Sequence, residues 1–380
     1  MYIYIVAELL MFALMLLSMK ASVKQRNIFL LICCVLWALI FGLRGYNVGN
    51  DTPHYAGFFE KTNPAYGSYG TYEAPGETIE WGYVVINKFL GFFSGSATFL
   101  FLVHGFLLFI IIYNLYKGKA SSLMSLIWLF SFGAMLTVMM VAMRQSLSVC
   151  FVLLSYIMIE KLQKKKLPQR RILLDKYFWL ALCFFVFSIT IHRSSIIFFP
   201  LLLLVGIIQL NKKLVYIVLI ATFIVATLFR DVLSDMFDMG MLLIGGVEDD
   251  KIALLAGRYQ EDMENAGASV VSMISLLAPI FVTTFLSSKD EVNTFPFKSL
   301  ILGLVIFTLF SSSPVITRIV LVFLILGYSA AIPQAINKNK VACLFYILVT
   351  SYYLWRAFEH LSQDLANRSN TYILYQFVWQ

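Results

Sequence analysis

Charge is what this chain has least of. Of its 380 residues 13% are charged and 60% hydrophobic, against about 25% and 45–50% in ordinary soluble domains. No polar block is long enough to fold by itself, and a mean hydropathy of +0.82 describes a chain whose solvent is lipid. Also missing are the loops that hold nucleotides or activate nucleophiles. There is no G-x-S-x-G elbow, no Walker loop, no His-Glu-x-x-His zinc helix and no G-x-G-x-x-G after a strand. Nucleotide-dependent chemistry has no support here, and nothing points to nucleic acid. The five cysteines, Cys33, Cys34, Cys150, Cys183 and Cys343, sit in apolar runs without metal-type spacing. They read as small core hydrophobes, and no cofactor is expected. The first apolar run lacks a basic leading segment and a small-residue cleavage site, and Lys20, Lys24 and Arg26 follow it. It reads as a retained helix rather than a signal peptide.

What is present is a succession of apolar runs. A spanning helix needs about 20 mostly apolar residues, within about 17 to 25. Runs at 2–19, 27–43, 98–116, 121–142, 146–159, 177–191, 194–210, 214–229, 268–286, 299–312, 315–336 and 341–355 predict an all-α polytopic membrane protein of about 12 transmembrane helices. It would form a single integral membrane domain over 1–380, with outer loops at 44–97 and 230–267. The apolar stretch at 81–93 is too short to span, carries Asn87 and Lys88 and follows Glu80, so it reads as an interfacial or re-entrant helix. With that count the basic loops at 20–26, 117–119, 161–176, 212–213, 289–298 and 338–340 share one face, which the positive-inside rule makes cytoplasmic. Both termini are then outside.

The two faces differ in kind as well as in amount of charge. Among the lysines, Lys61, Lys88 and Lys251 are outside, whereas Arg44, Arg144, Arg193, Arg230, Arg258, Arg318, Arg356 and Arg368 all are. Lysine on the inner face needs no role beyond topology. Arginine is different, because its planar fork binds phosphate or carboxylate through two hydrogen bonds and never deprotonates. Some of the eight can simply pair with outer acids such as Asp51 and Glu80. Arg144, Arg193 and Arg318 stand out, each in a very tight connection between apolar runs. An unpaired arginine at full depth costs roughly 2.5–3.5 kcal/mol, so something must compensate them. With Arg44 they suggest a recessed, outward-facing cationic pocket, to which Ser311, Ser312, Ser313 and Pro314 would add irregular backbone.

His192, beside Arg193, is the candidate base, since a neutral imidazole accepts a hydroxyl proton at ambient pH. His104, inside a span, reads as a hydrogen-bonded packing residue. The outer loop that begins at Arg44 is rich in aromatics and proline, a composition suited to sugar stacking and equally to an interfacial loop. The later loop carries Arg258 and Tyr259 and reads as a mobile flap.

Arg44, Gly45, Gly49, Asp51 and Tyr55 form an R-G-x3-G-x-D-x3-Y pattern. That pattern resembles the EpsG family of polysaccharide polymerases, relatives of the Wzy-type O-antigen polymerases. Glu80 with Asn87, Arg144-Gln145, His192 with Ser194-Ser195, Arg318 and the closing 372–377 stretch extend the likeness over essentially the full length. The resemblance implies an enzyme that joins undecaprenyl-pyrophosphate-linked oligosaccharide repeat units at the outer face of a bacterial cytoplasmic (inner) membrane. Its partners would be those lipid-linked glycans, membrane lipid, a chain-length regulator and a flippase. Arg44, Arg144, Arg193 and Arg318 would bind pyrophosphate. Asp51 or His192 would be the catalytic base, and Tyr55, Glu80, Arg258 and Tyr259 would hold the glycan. Two other classes compete with this one: a flippase for the same lipids, and a membrane O-acyltransferase acting on the glycan with His192 as base.

Overall fold

The computed structural model describes residues 2–46, 48–49, 51–62, 79–119, 121–131, 142–165, 168–245, 270–310, 319–329 and 340–367. Among them every regular element is helical. The chain divides into two compact units, residues 1–201 with 350–380, and residues 202–349.

The first unit begins with α1 (Tyr2–Ser18) and α2 (Val23–Gly42). The second starts where Ser22 accepts from the Gln25 backbone and the Gln25 side chain answers to the Ser22 backbone, a reciprocal cap that satisfies two otherwise orphan donors. A short helix, α3 (Thr52–Lys61), follows inside what the sequence reads as an outer loop. Then come α4 (Trp81–Gly91), α5 (Ala97–Tyr116), α6 (Ser122–Ser131), α7 (Met143–Lys164) and α8 (Lys176–Ile191), the last capped by Asp175 at the Tyr177 N–H. A 3-10 turn, Arg193–Ile197, leads into α9 (Phe198–Ile207).

Two packed pairs frame this unit. Helices α2 and α5 approach closely because Gly105 lies against the Ala38 carbonyl, where an added Cβ would sit 2.9 Å away, and Gly42 lies against Leu102. Helices α7 and α8 form an antiparallel pair, held by the Ser155 hydroxyl donating to Ala181 O at 2.8 Å and by Phe151 meeting Phe187 edge-on at 4.8 Å. Gly82 lets α4 rest directly on Thr190 of α8. Trp37 of α2 stacks on Phe130 of α6 at 4.1 Å, closing the interior.

The second unit contains α10 (Lys212–Gly245), α11 (Val270–Leu286), α12 (Phe295–Leu309) and α13 (Ile319–Ser329). The Asn293 side chain accepts from the Leu210 N–H and donates to the Leu210 carbonyl, pinning a connection. Lys298, assigned above to a basic loop, is instead buried, its ammonium donating to the carbonyls of Gly206 and Ile208 just past a helix end. Those carbonyls are orphan acceptors at the negative end of the helix dipole, which is why a lysine is tolerated there. The last helix, α14, is Lys340–Asn367.

Among the described residues four helices are long and apolar enough to cross a membrane: Val23–Gly42, Ala97–Tyr116, Met143–Lys164 and Lys212–Phe229. Seven further apolar helices are shorter, among them Ile3–Ser18, Lys176–Ile191 and Phe295–Leu309. The helices within the runs read from the sequence are thus of unequal length, four of them long enough to span, against the twelve spans expected. The run 194–210 becomes the 3-10 turn plus α9. Residues 230–245, expected as the start of a loop, continue α10 without a break. Trp81–Gly91 is the isolated short helix expected there, with Trp81, Phe92 and Phe93 exposed around it. Exposed Val6, Ile110, Trp179, Val186 and Ile220 give the long helices apolar outer faces as well as inner ones, the pattern of helices immersed in lipid.

Candidate functional site

Glu80 is the N-cap of α4, with extended backbone at φ −63° and ψ 135°, yet its side chain makes no cap hydrogen bond. An N-cap side chain ordinarily accepts from its own helix. This carboxylate reaches elsewhere: Oε2 accepts from Arg144 Nη1 at 3.0 Å, and Oε1 from His192 Nδ1 at 3.2 Å and from the Arg193 backbone N–H at 3.4 Å. Three chain segments far apart in sequence meet on it.

Each partner is held by local backbone. Arg144 is the second residue of α7, which starts at Met143 without a capping side chain. The tight connection expected at 143–145 is thus the first turn of a helix. A cation at a helix N-terminus is disfavoured by the dipole, and the Glu80 carboxylate offsets this. His192 ends α8 and precedes the 3-10 turn in extended backbone, φ −153° and ψ 114°, its N–H donating to Ser188 O and its carbonyl accepting from the Ser195 N–H. Ser195 and Ser148 share a hydroxyl hydrogen bond of 2.7 Å, fastening that turn to α7. Side chains of Glu80, Arg144 and His192 are 11%, 21% and 26% exposed, so the cluster is largely dry but open on one side.

Burial alone would raise the Glu80 pKa. The hydrogen bond from His192 and the Arg144 charge outweigh it and hold the carboxyl down at about 2. An ionised carboxylate only accepts, so Nδ1 of His192 is the donor in this contact, and it is Nε2 that bears the lone pair in the neutral tautomer so held. That is the arrangement of a base oriented by an acid. Arg193, whose backbone joins the cluster, has an exposed side chain with no hydrogen bond or ion pair among the described residues. The carboxylate thus pairs with one guanidinium, that of Arg144, and with the backbone of Arg193, whose own charge it does not neutralise.

Tyr55 packs edge-on against Tyr83 at 6.0 Å, and Phe58 stacks on the same ring at 5.7 Å. Burial raises the Tyr55 pKa, Asp51 adds to the rise, and Arg144 opposes it, which places that hydroxyl beside the Glu80–Arg144 pair. Asp51 caps α3 through its backbone, its carbonyl accepting from the Tyr55 N–H at 3.1 Å, and its side chain makes no cap hydrogen bond. Arg44 is fully buried. It donates to Phe41 O at 3.0 Å and lies 4.5 Å over the Phe101 ring. Arg318, Arg258 and Tyr259 lie outside the described residues.

His104 donates to or accepts from Ser146 at 3.0 Å, the packing contact expected of it. Of the cysteines, Cys183 is exposed rather than part of a core. Sequence reasoning missed Glu60, which accepts from the Tyr46 hydroxyl at 2.6 Å and ties α3 to the start of α5 through the Ala97 N–H. It missed Ser148 as well. No group of three or more metal-ligating side chains occurs among the described residues.

The EpsG family model matches residues 27–377, and the chain belongs to that family. It is accordingly a membrane protein of polysaccharide synthesis. No curated protein and no solved structure matches it.

Proposed function

We propose that this EpsG-family protein polymerises oligosaccharide repeat units carried on undecaprenyl pyrophosphate, outside the cytoplasmic membrane. The observation that carries the reading is the Glu80 carboxylate, shared by His192 Nδ1, Arg144 Nη1 and the Arg193 N–H. In the reaction, Nε2 of His192 removes the proton from the acceptor hydroxyl as that oxygen bonds to the donor's anomeric carbon. The bond from that carbon to the pyrophosphate oxygen breaks, and the lipid pyrophosphate leaves with the electron pair. Arg144 and Arg193 meet the charge that develops on it. Glu80 fixes the imidazole tautomer, stabilises the imidazolium and balances Arg144 before substrate arrives. Tyr55, beside Arg144, contacts the glycan.

Between the two candidate bases the reading takes His192, because the Glu80 carboxylate orients its imidazole through Nδ1. Purified protein supplied with a lipid-linked repeat unit should extend it, and His192→Ala should not. Wild-type protein that makes no polymer in this assay would refute the reading. In cells lacking the protein, single repeat units on the outside are expected. Their accumulation inside would indicate a flippase.

A further inference from the structure

Beneath the polar cluster lies a cleft of about 290 Å³ lined by α4, α5, α7 and α8. Its walls include Val85 and Phe89 of α4, Val103 and Leu107 of α5, Phe151 of α7 and Phe187 of α8. His104, whose ring nitrogen is engaged by Ser146, is the one polar side chain in its lining. Val85 and Phe89, one turn apart, are also 47% and 59% exposed, so the apolar lining reaches the protein surface on α4.

The cleft continues the site along the same helices. Val85 follows Glu80 by five residues, Leu147 follows Arg144 by three, and Phe187 precedes His192 by five. At about 1.5 Å per residue these lie some 4–8 Å below the cluster. A ligand that used both regions would have an anionic head among Arg144, Arg193 and His192, and one apolar chain entering from the lipid side. A phospholipid fits poorly, since it brings two chains on a singly charged phosphodiester. Arg144 beside His192, with Arg193 next in the chain, suits a pyrophosphate monoester better. A volume near the low end of the roughly 300–1,000 Å³ of small-molecule sites takes part of a single chain.

We propose that this cleft holds the pyrophosphate-proximal segment of an isoprenoid chain, a site that rests on reading the Glu80 cluster as the pyrophosphate site. The experiment uses the purified full chain and farnesyl pyrophosphate carrying a terminal benzophenone. After irradiation the label is expected on Phe89, Leu107 or Phe151. Excess undecaprenyl pyrophosphate should reduce labelling at least tenfold, and Leu107→Trp should do the same. Excess phosphatidylglycerol should leave it unchanged. Absence of labelling in the cleft, or equal displacement by phosphatidylglycerol, overturns the proposal. Polymerisation is not needed for this readout. A labelled cleft in a protein that extends no glycan would sink the polymerase reading alone, and an active polymerase labelled elsewhere would sink the cleft alone.

Discussion

The stretch from Arg44 to Tyr55 and the cluster on Glu80 are both polar and both follow apolar helices, yet they are built for different ends. In the first, the contacts bury the stretch against its own turn and the neighbouring helices. Arg44 is sealed beneath Phe101, the Thr52 hydroxyl donates back to Val48 O at 2.6 Å, and Gly49 takes φ 92° so that the chain can turn into α3. Only Gly adopts that region without strain. In the second, one carboxylate gathers groups from two distant segments, and the Arg193 side chain beside it is exposed. The patterned stretch is held mainly by buried contacts, and the scattered residues form the polar cluster on which the proposed reaction rests. Spacing in sequence reports local folding more directly than it reports chemistry.

Mutation can break or sharpen this contrast. The largest effect is expected for His192→Ala, which should lower in vitro polymerisation by about 10²–10⁴-fold, the range for loss of a positioned general base. Purification yield and thermal stability should hardly change. Glu80→Gln should fall within about tenfold of that loss, because an amide can present the wrong group to Nδ1. A near-normal rate would separate Glu80 from the chemistry.

On the scaffold side, Arg44→Lys should act on stability first. Loss of the buried hydrogen bond and of ring contact should cost about 1–3 kcal/mol, seen as a lower Tm in detergent. A normal Tm with abolished polymerisation would return Arg44 to the site. Gly49→Ala should cost about 1–2 kcal/mol through left-handed backbone, again read as Tm. Asp51→Asn should change turnover by less than about threefold, far short of the loss expected for removing a base; a loss equal to that of His192→Ala would collapse the distinction.

The smallest effect concerns pH. Glu80 has its pKa depressed from 4.5 to about 2 in the folded protein. Its contribution to stability is therefore fully present above about 4.5 and is lost as pH falls toward about 2. Tm of the wild type should drop over that window more than Tm of Glu80→Gln does.

The helical class was legible from composition, because lipid leaves the backbone few other ways to satisfy its hydrogen bonds. So was the short helix at 81–91, from its length and its Asn87 and Lys88. Less legible was α3, whose residues Thr52 to Lys61 mix proline, glycine and aromatics without a helical stripe. Its stability comes from Tyr55, Phe58 and Phe59 packing around Tyr83, a partner distant in sequence. Lys298 misled for a similar reason, since only the folded chain brings helix-end carbonyls to its ammonium.

By itself the sequence determined an apolar helical protein, and it singled out His192, Arg144 and Arg193 as candidates. Those follow from local chemistry, namely the solvent each segment prefers and the charge each side chain carries. Only the tertiary structure decided that Glu80 joins them, because a carboxylate selects its partners by distance, and residues 80, 144 and 192 meet only once α4, α7 and α8 have packed. The same packing buried Arg44 and opened an apolar cleft beneath the cluster. A charge read along the chain has a sign, and it acquires a role when the fold supplies its neighbours.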